Sequence, residues 1–134
     1  MKTTGIDHIG IVVKNIDEAL KLYKDLLGII PSGEEIMEDR GLKVCFINIG
    51  DTRIELLQPI RDNSEVSAFL EKKGEGLHHT AYRVENLEDM ILKAKELGLK
   101  PLSDVPKSGA HNTSVVFLHP KTTNGVLVEL VKHN

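Results

Sequence analysis

Apolar positions along this chain change period twice, and the order of change repeats. Residues 6–13 alternate in the manner of a strand, with Ile9, Ile11 and Val13 on one face and Ile6, His8 and Gly10 on the other. Beyond Asn15 the period lengthens, and Ile16, Leu20, Tyr23 and Leu27 recur at helical spacing. Asn15 with Glu18 resembles a capping box, and Gly28 suits a left-handed helix end, so this helix should lie on the Ile9-Ile11-Val13 face. Residues 31–41 are polar and predict a weak strand or a mobile loop. Residues 43–49 and 52–58 predict a hairpin across Gly50-Asp51.

The same plan returns later. Gly76-Leu77-His78-His79-Thr80-Ala81 matches Gly5-Ile6-Asp7-His8-Ile9-Gly10, with a histidine at the fourth position of each copy. Asn86, Lys95, Leu97-Gly98 and Pro101 then follow as counterparts of Asn15, Lys24, Leu27-Gly28 and Pro31. Leu87, Met90, Ile91, Ala94 and Leu97 stripe a second helix, and residues 115–118 and 125–131 predict strands joined by a longer turn over 119–124. Between the copies, Val66, Phe69 and Leu70 predict a short amphipathic helix within 59–75. The chain therefore reads as one α+β domain spanning 1–134: a module over about 5–58, a connecting helix over about 59–75 and a module over about 76–134.

Composition narrows the function classes. The 134 residues are 40% hydrophobic and 28% charged, ordinary for a globular protein. A formal net charge of -3 lacks the basic excess that nucleic-acid binding demands, and few aromatic side chains could stack on bases. Cys45 is the single cysteine, so no intrachain disulfide or Cys-rich zinc module can form, and its place in a strand reads as core. No apolar run approaches bilayer length and no leader pattern is visible, so the expectation is a cytoplasmic protein without a membrane partner.

Candidate chemistry comes from the repeat. Aligning Val44-Cys45-Phe46-Ile47 with Val115-Val116-Phe117-Leu118 brings Glu55 opposite Glu129. If the copies pack about a pseudo-two-fold axis, His8, Glu55, His79 and Glu129 converge from four strands. Two imidazoles and two carboxylates suit one divalent ion, and nickel, cobalt or manganese in octahedral geometry would keep two positions for water or substrate; zinc also accepts the set. The bland reading makes both glutamates solvent-facing and both histidines satisfied core groups. Four ligand-type residues in repeat register weigh against it. By strand alternation His78 faces away from His79 and reads as a structural residue or outer donor, while His111 and His119 lie in loops and His133 is terminal.

At Ile6-Asp7-His8-Ile9-Gly10, Ile54-Glu55-Leu56-Leu57-Gln58-Pro59, Gly76-Leu77-His78-His79 and Phe117-Leu118-His119-Pro120-Lys121 with Gly125-Val126-Leu127-Val128-Glu129-Leu130, the chain resembles the vicinal oxygen chelate superfamily. Within it, the nearest likeness is to the methylmalonyl-CoA epimerases. The resemblance implies paired βαβββ modules forming a cupped mixed sheet around a metal, a homodimer, and metal ligands at His8, Glu55, His79 and Glu129. It further implies epimerisation of an acyl-CoA at an acidic carbon flanked by thioester and carboxylate. There a metal would stabilise the enolate, and Glu129 would be one of two acid/base groups.

The sequence departs from that pattern in two places. Some epimerases carry a second glutamate where this chain has Val44, and glutamine where it has Glu55. Glu55 could supply the second proton transfer, as could Glu34, Glu35 or Glu38 from the loop, or a water. The His, Glu, His, Glu set is also that of bacterial-type glyoxalase I, which acts on a glutathione hemithioacetal by similar chemistry. Iron-dependent relatives use two histidines and one carboxylate. A metal-free small-molecule binding module is the reading from a different class, and its pocket would favour aromatics, which are sparse here.

Overall fold

Strand β1 (Thr3–Val12) opens the fold in a computed structural model that describes residues 2–134. It starts earlier than its apolar pattern, because the backbone of Lys2 already accepts a hydrogen bond from Glu85. Then follow α1 (Ile16–Leu20), β2 (Gly33–Met37), β3 (Leu42–Ile49), β4 (Thr52–Pro59) and α2 (Glu65–Lys73). The chain continues through β5 (Gly76–Val84), α3 (Leu87–Glu96), β6 (Lys107–Gly109), β7 (Thr113–Leu118) and β8 (Leu127–His133). The order βαβββ occurs twice with α2 between, as the sequence predicts, in a mixed α+β architecture.

Two compact units divide the chain, one of residues 9–78 and the other of residues 1–8 with 79–134. In the first, β3 pairs antiparallel with β2 and with β4, and the β3-β4 register sets Phe46 opposite Glu55. Both faces are covered. Val13, Cys45, Ile47, Ile54 and Leu56 pack with Ile9, Ile11, Ile16, Leu20 and Tyr23, placing the first helix on the expected face. On the other face Val12, Leu42, Val44, Phe46 and Leu57 pack with Val66, Phe69 and Leu70 of α2. Asn15 caps α1, its side chain accepting from the Glu18 amide. The helix then widens into a π-helical stretch, Lys21–Leu26, closed by Leu27 N–H donating to the Leu22 carbonyl. Helical periodicity in the sequence does not reveal this widening, since the apolar stripe is the same.

In the second unit β5 and β8 run parallel, with Ala81 beside Glu129, and β8-β7-β6 continue antiparallel. The β7-β8 register sets Phe117 opposite Glu129, matching the Phe46-Glu55 pair of the other unit. Val84, Val116, Leu118 and Leu130 pack on Leu87, Ile91 and Ala94 of α3. Ala81, Val115, Phe117 and Val131 form the core of the opposite face. Strand β6 is three residues long and has no sequence signature. Its Gly109 allows close approach to β7, because a Cβ there would stand 2.5 Å from the Thr113 hydroxyl and 2.7 Å from a Val115 methyl.

Candidate metal centre

Strands β1, β5 and β8 each contribute one side chain to a buried cluster in the second unit. His8, His79 and Glu129 are buried, with 5%, 3% and 6% of their surface exposed. Their ligand atoms lie within 4.8 Å of one another. His8 Nε2 stands 3.1 Å from His79 Nε2 and 3.1 Å from Glu129 Oε1, and His79 Nε2 stands 3.4 Å from the same oxygen. By alternation along β5 and β8, His79 and Glu129 share the face of Ala81 and Val131, leaving the α3 face to Tyr82, Val84 and Leu130. The His79 ring meets Phe117 edge to face at 6.1 Å, and His8 at 5.2 Å. Phe117 thus walls one side of the cluster with an apolar ring.

Asp7 sets the electrostatics of His8. It is 2% exposed, and its Oδ2 lies 2.7 Å from His8 Nδ1, while Oδ1 receives His133 Nε2 and, at 3.3 Å, Arg83 Nε. Burial alone would raise the Asp7 pKa. The hydrogen bonds from His8 and His133 outweigh burial and hold it well below the usual carboxylate range. An ionised carboxylate only accepts, so His8 carries its proton on Nδ1 and turns the Nε2 lone pair toward His79 and Glu129. Lone-pair atoms gathered at 3.1–3.4 Å repel one another unless a proton or cation is shared among them. By this test the donor set suits a divalent metal.

Of the four residues that the repeat singles out, the structure brings three together. Glu55 lies on β4 in the other unit, 9% exposed, and its Oε2 accepts from Arg53 Nη2 at 2.8 Å and Nε at 3.1 Å. That guanidinium also stacks over Phe46, 5.5 Å from the ring centroid. The counterpart of Arg53 beside Glu129 is Leu127, so the two glutamates share a register but not a charge environment.

The remaining polar candidates have structural roles. His78 is buried against Phe69 and stands 3.3 Å from Glu65. His119 caps a short 3-10 turn by accepting from the Lys121 amide. Cys45 is fully buried, and burial raises its thiol pKa, as befits a core residue. Three residues around the cluster escape sequence reasoning: Asp7, Arg83 and His133. The one available signal was Asp7 itself, an acid in an otherwise apolar strand immediately before a ligand-type histidine. No helix among the described residues is long and apolar enough to cross a membrane.

The profile of the Glyoxalase/Bleomycin resistance protein/Dioxygenase superfamily matches residues 7–117. The mitochondrial methylmalonyl-CoA epimerase of Mus musculus is 38% identical over 130 residues, covering 96% of this chain and 73% of the relative. The ethylmalonyl-CoA/methylmalonyl-CoA epimerase of Cereibacter sphaeroides is 40% identical over 127 residues, covering 93% and 95%. Among solved structures, a methylmalonyl-CoA epimerase in complex with methylmalonyl-CoA and NH4+ superposes with a TM-score of 0.91 at 33% identity, covering 98% of this chain and 96% of that one.

Proposed function

Because the chain belongs to the glyoxalase/bleomycin resistance protein/dioxygenase superfamily, we propose that it is a methylmalonyl-CoA epimerase in which His8, His79 and Glu129 hold one divalent ion. Cobalt, nickel, manganese and zinc all accept this mixture of donors. The observation that carries the metal reading is the convergence of three buried ligand atoms within 4.8 Å. The substrate reading draws on relatives named as epimerases over nearly the whole chain. Glu55 enters as a fourth donor on its repeat position alone.

Methylmalonyl-CoA carries its exchangeable hydrogen between a thioester and a carboxylate. When bound, the ion supplies Lewis-acid stabilisation of the negative charge that develops as this proton leaves. The protein's own task is to hold the reacting carbon between two proton-transfer groups, one for each face. Glu129 is assigned one role, since its carboxylate stands at the cluster. The second position that some relatives fill with glutamate is Val44, an aliphatic residue 2% exposed. Glu55 is the first candidate for the second role. Glu34 and Glu35 on β2 are exposed, and Glu34 is paired with Lys43 at 3.2 Å.

The deciding experiment is proton NMR in deuterated water with (2R)- or (2S)-methylmalonyl-CoA and metal-loaded protein, beside the methylglyoxal-glutathione hemithioacetal. Metal-dependent exchange at C2 with interconversion of the epimers is the expected result, and Glu129→Gln should abolish it while the protein stays folded. Conversion of the hemithioacetal alone would make the chain a glyoxalase. Turnover that survives Glu129→Gln would remove Glu129 from the mechanism.

A further inference from the structure

Each strand that brings a metal-ligand candidate to the cluster also brings a group to Asp7. Strand β5 carries His79 and, four residues on, Arg83; β8 carries Glu129 and, four residues on, His133. The spacing places each pair on one face of its strand. Arg83 Nε and His133 Nε2 both donate to Asp7 Oδ1, leaving Oδ2 to His8 Nδ1 at 2.7 Å. From this arrangement, and resting on the metal reading proposed above, we infer that Asp7 is a positioning residue that fixes His8 in its metal-binding tautomer, with His133 and Arg83 orienting Asp7 in turn.

The physical case rests on which atoms can donate. His133 and Arg83 offer only N–H groups to a carboxylate, so Oδ1 must accept, and the carboxyl plane is thereby set with Oδ2 directed at His8. Oδ2 must accept as well, so the His8 proton is held on Nδ1. Nε2 keeps a lone pair, which is the atom 3.1 Å from both His79 Nε2 and Glu129 Oε1. A carboxylate behind a ligand histidine also raises its basicity toward a metal. The arrangement is not a by-product of the repeat. At the position equivalent to Asp7 the second copy has His78, which meets Glu65 and Phe69.

A purely structural ion-pair cluster would tie β1 to β8 and leave the His8 tautomer indifferent. Asp7→Asn separates the two cases. An asparagine has one carbonyl oxygen and one NH2 group; with its oxygen kept by His133 and Arg83, the NH2 faces His8 Nδ1. That contact is tolerable only if the His8 proton moves to Nε2, which removes the lone pair a metal needs.

The test uses the full chain. Nitrogen-15 NMR of the His8 imidazole in metal-free protein reads the tautomer, and chelator competition with cobalt reads affinity. In the unsubstituted protein His8 should be protonated on Nδ1; in D7N the proton should sit on Nε2, with cobalt affinity lower by roughly 10–100-fold. H133F, at the half-exposed end of β8, should keep the tautomer and weaken cobalt by about tenfold, at the lower end of that range. Circular dichroism establishes that each variant is folded. A His8 proton on Nε2 in the unsubstituted protein overturns the inference without recourse to any variant. So does a folded D7N with the tautomer unchanged and affinity within about threefold, well short of the loss expected for an outer-shell substitution. If the unsubstituted protein takes up no divalent metal, the metal reading fails, and the tautomer measurement still decides the role of Asp7.

Discussion

Glu55 and Glu129 show how far a shared register determines a residue's chemistry. Each lies opposite a phenylalanine, Phe46 and Phe117, and each is buried in the interior of its own unit. Yet Glu129 meets two imidazoles and Glu55 meets Arg53, whose side chain is 16% exposed against 11% for Glu55. A charge buried to this degree depends on its partner, because solvent replaces little of what is lost. Arg53→Met, Glu55→Gln and the double variant, compared by urea unfolding, should therefore show a coupling energy of about 1–3 kcal/mol. Coupling near zero would mean that the pair is incidental and Glu55 is electrostatically free for another role. The four ligand-type residues were legible because a repeat places them in register. The guanidinium on Glu55 was not, since an arginine two residues away along a strand carries no mark in the sequence of where its head group goes. Asp7 was hidden for a related reason: alternation assigns it to the face away from His8, whereas its carboxylate reaches the His8 ring.

The elements follow the hydrophobic period closely where burial is deep and depart from it where hydrogen bonding decides. α2 is a case of the first kind with a polar addition. Val66 on its inner face is fully buried, and Ser64 and Ser67 cap each other's backbone at its start. Glu65, in the first turn, reaches the buried His78 on β5. That hydrogen bond lowers the Glu65 pKa from its ordinary 4.5, burial opposes it, and the charges of His78 and Arg40 add to the lowering. A carboxylate whose folded pKa is depressed binds fewer protons than the unfolded chain does. Its contribution to stability is thus fully present above pH 4.5 and is lost as the pH falls through the lower folded value. Glu65→Gln should therefore lower the neutral plateau of a plot of unfolding midpoint against pH and flatten its acid limb, so that the two proteins converge at low pH. A parallel acid limb in the variant would show that His78 draws nothing from Glu65. The short strand β6 and the π-helical stretch, by contrast, depend on close backbone approach and on hydrogen-bond spacing, and neither alters the pattern of apolar residues.

At the scale of the whole chain, the two compact units do not coincide with the two copies of the repeat. The cut falls between His8 and Ile9, inside β1, so the first copy's histidine belongs to the unit that holds His79 and Glu129. The repeat marks the histidine but not that boundary, because strand alternation continues through it. A metal bound by the folded protein stabilises it by mass action, about 2.7 kcal/mol at a hundredfold excess over Kd. Openings smaller than global unfolding feel this only where they break the site. If the three clustered residues are the whole protein contribution, cobalt should slow amide exchange chiefly in β5, β8 and residues 3–8 of β1, with β2 and β3 little affected. Hydrogen-exchange mass spectrometry with and without cobalt measures this segment by segment. Added protection extending to β4 around Glu55 would make that glutamate a fourth donor, as the repeat suggests. No protection in β5 or β8 at saturating cobalt would refute the metal centre, since a cation held by His79 and Glu129 must resist the opening of the strands that carry them.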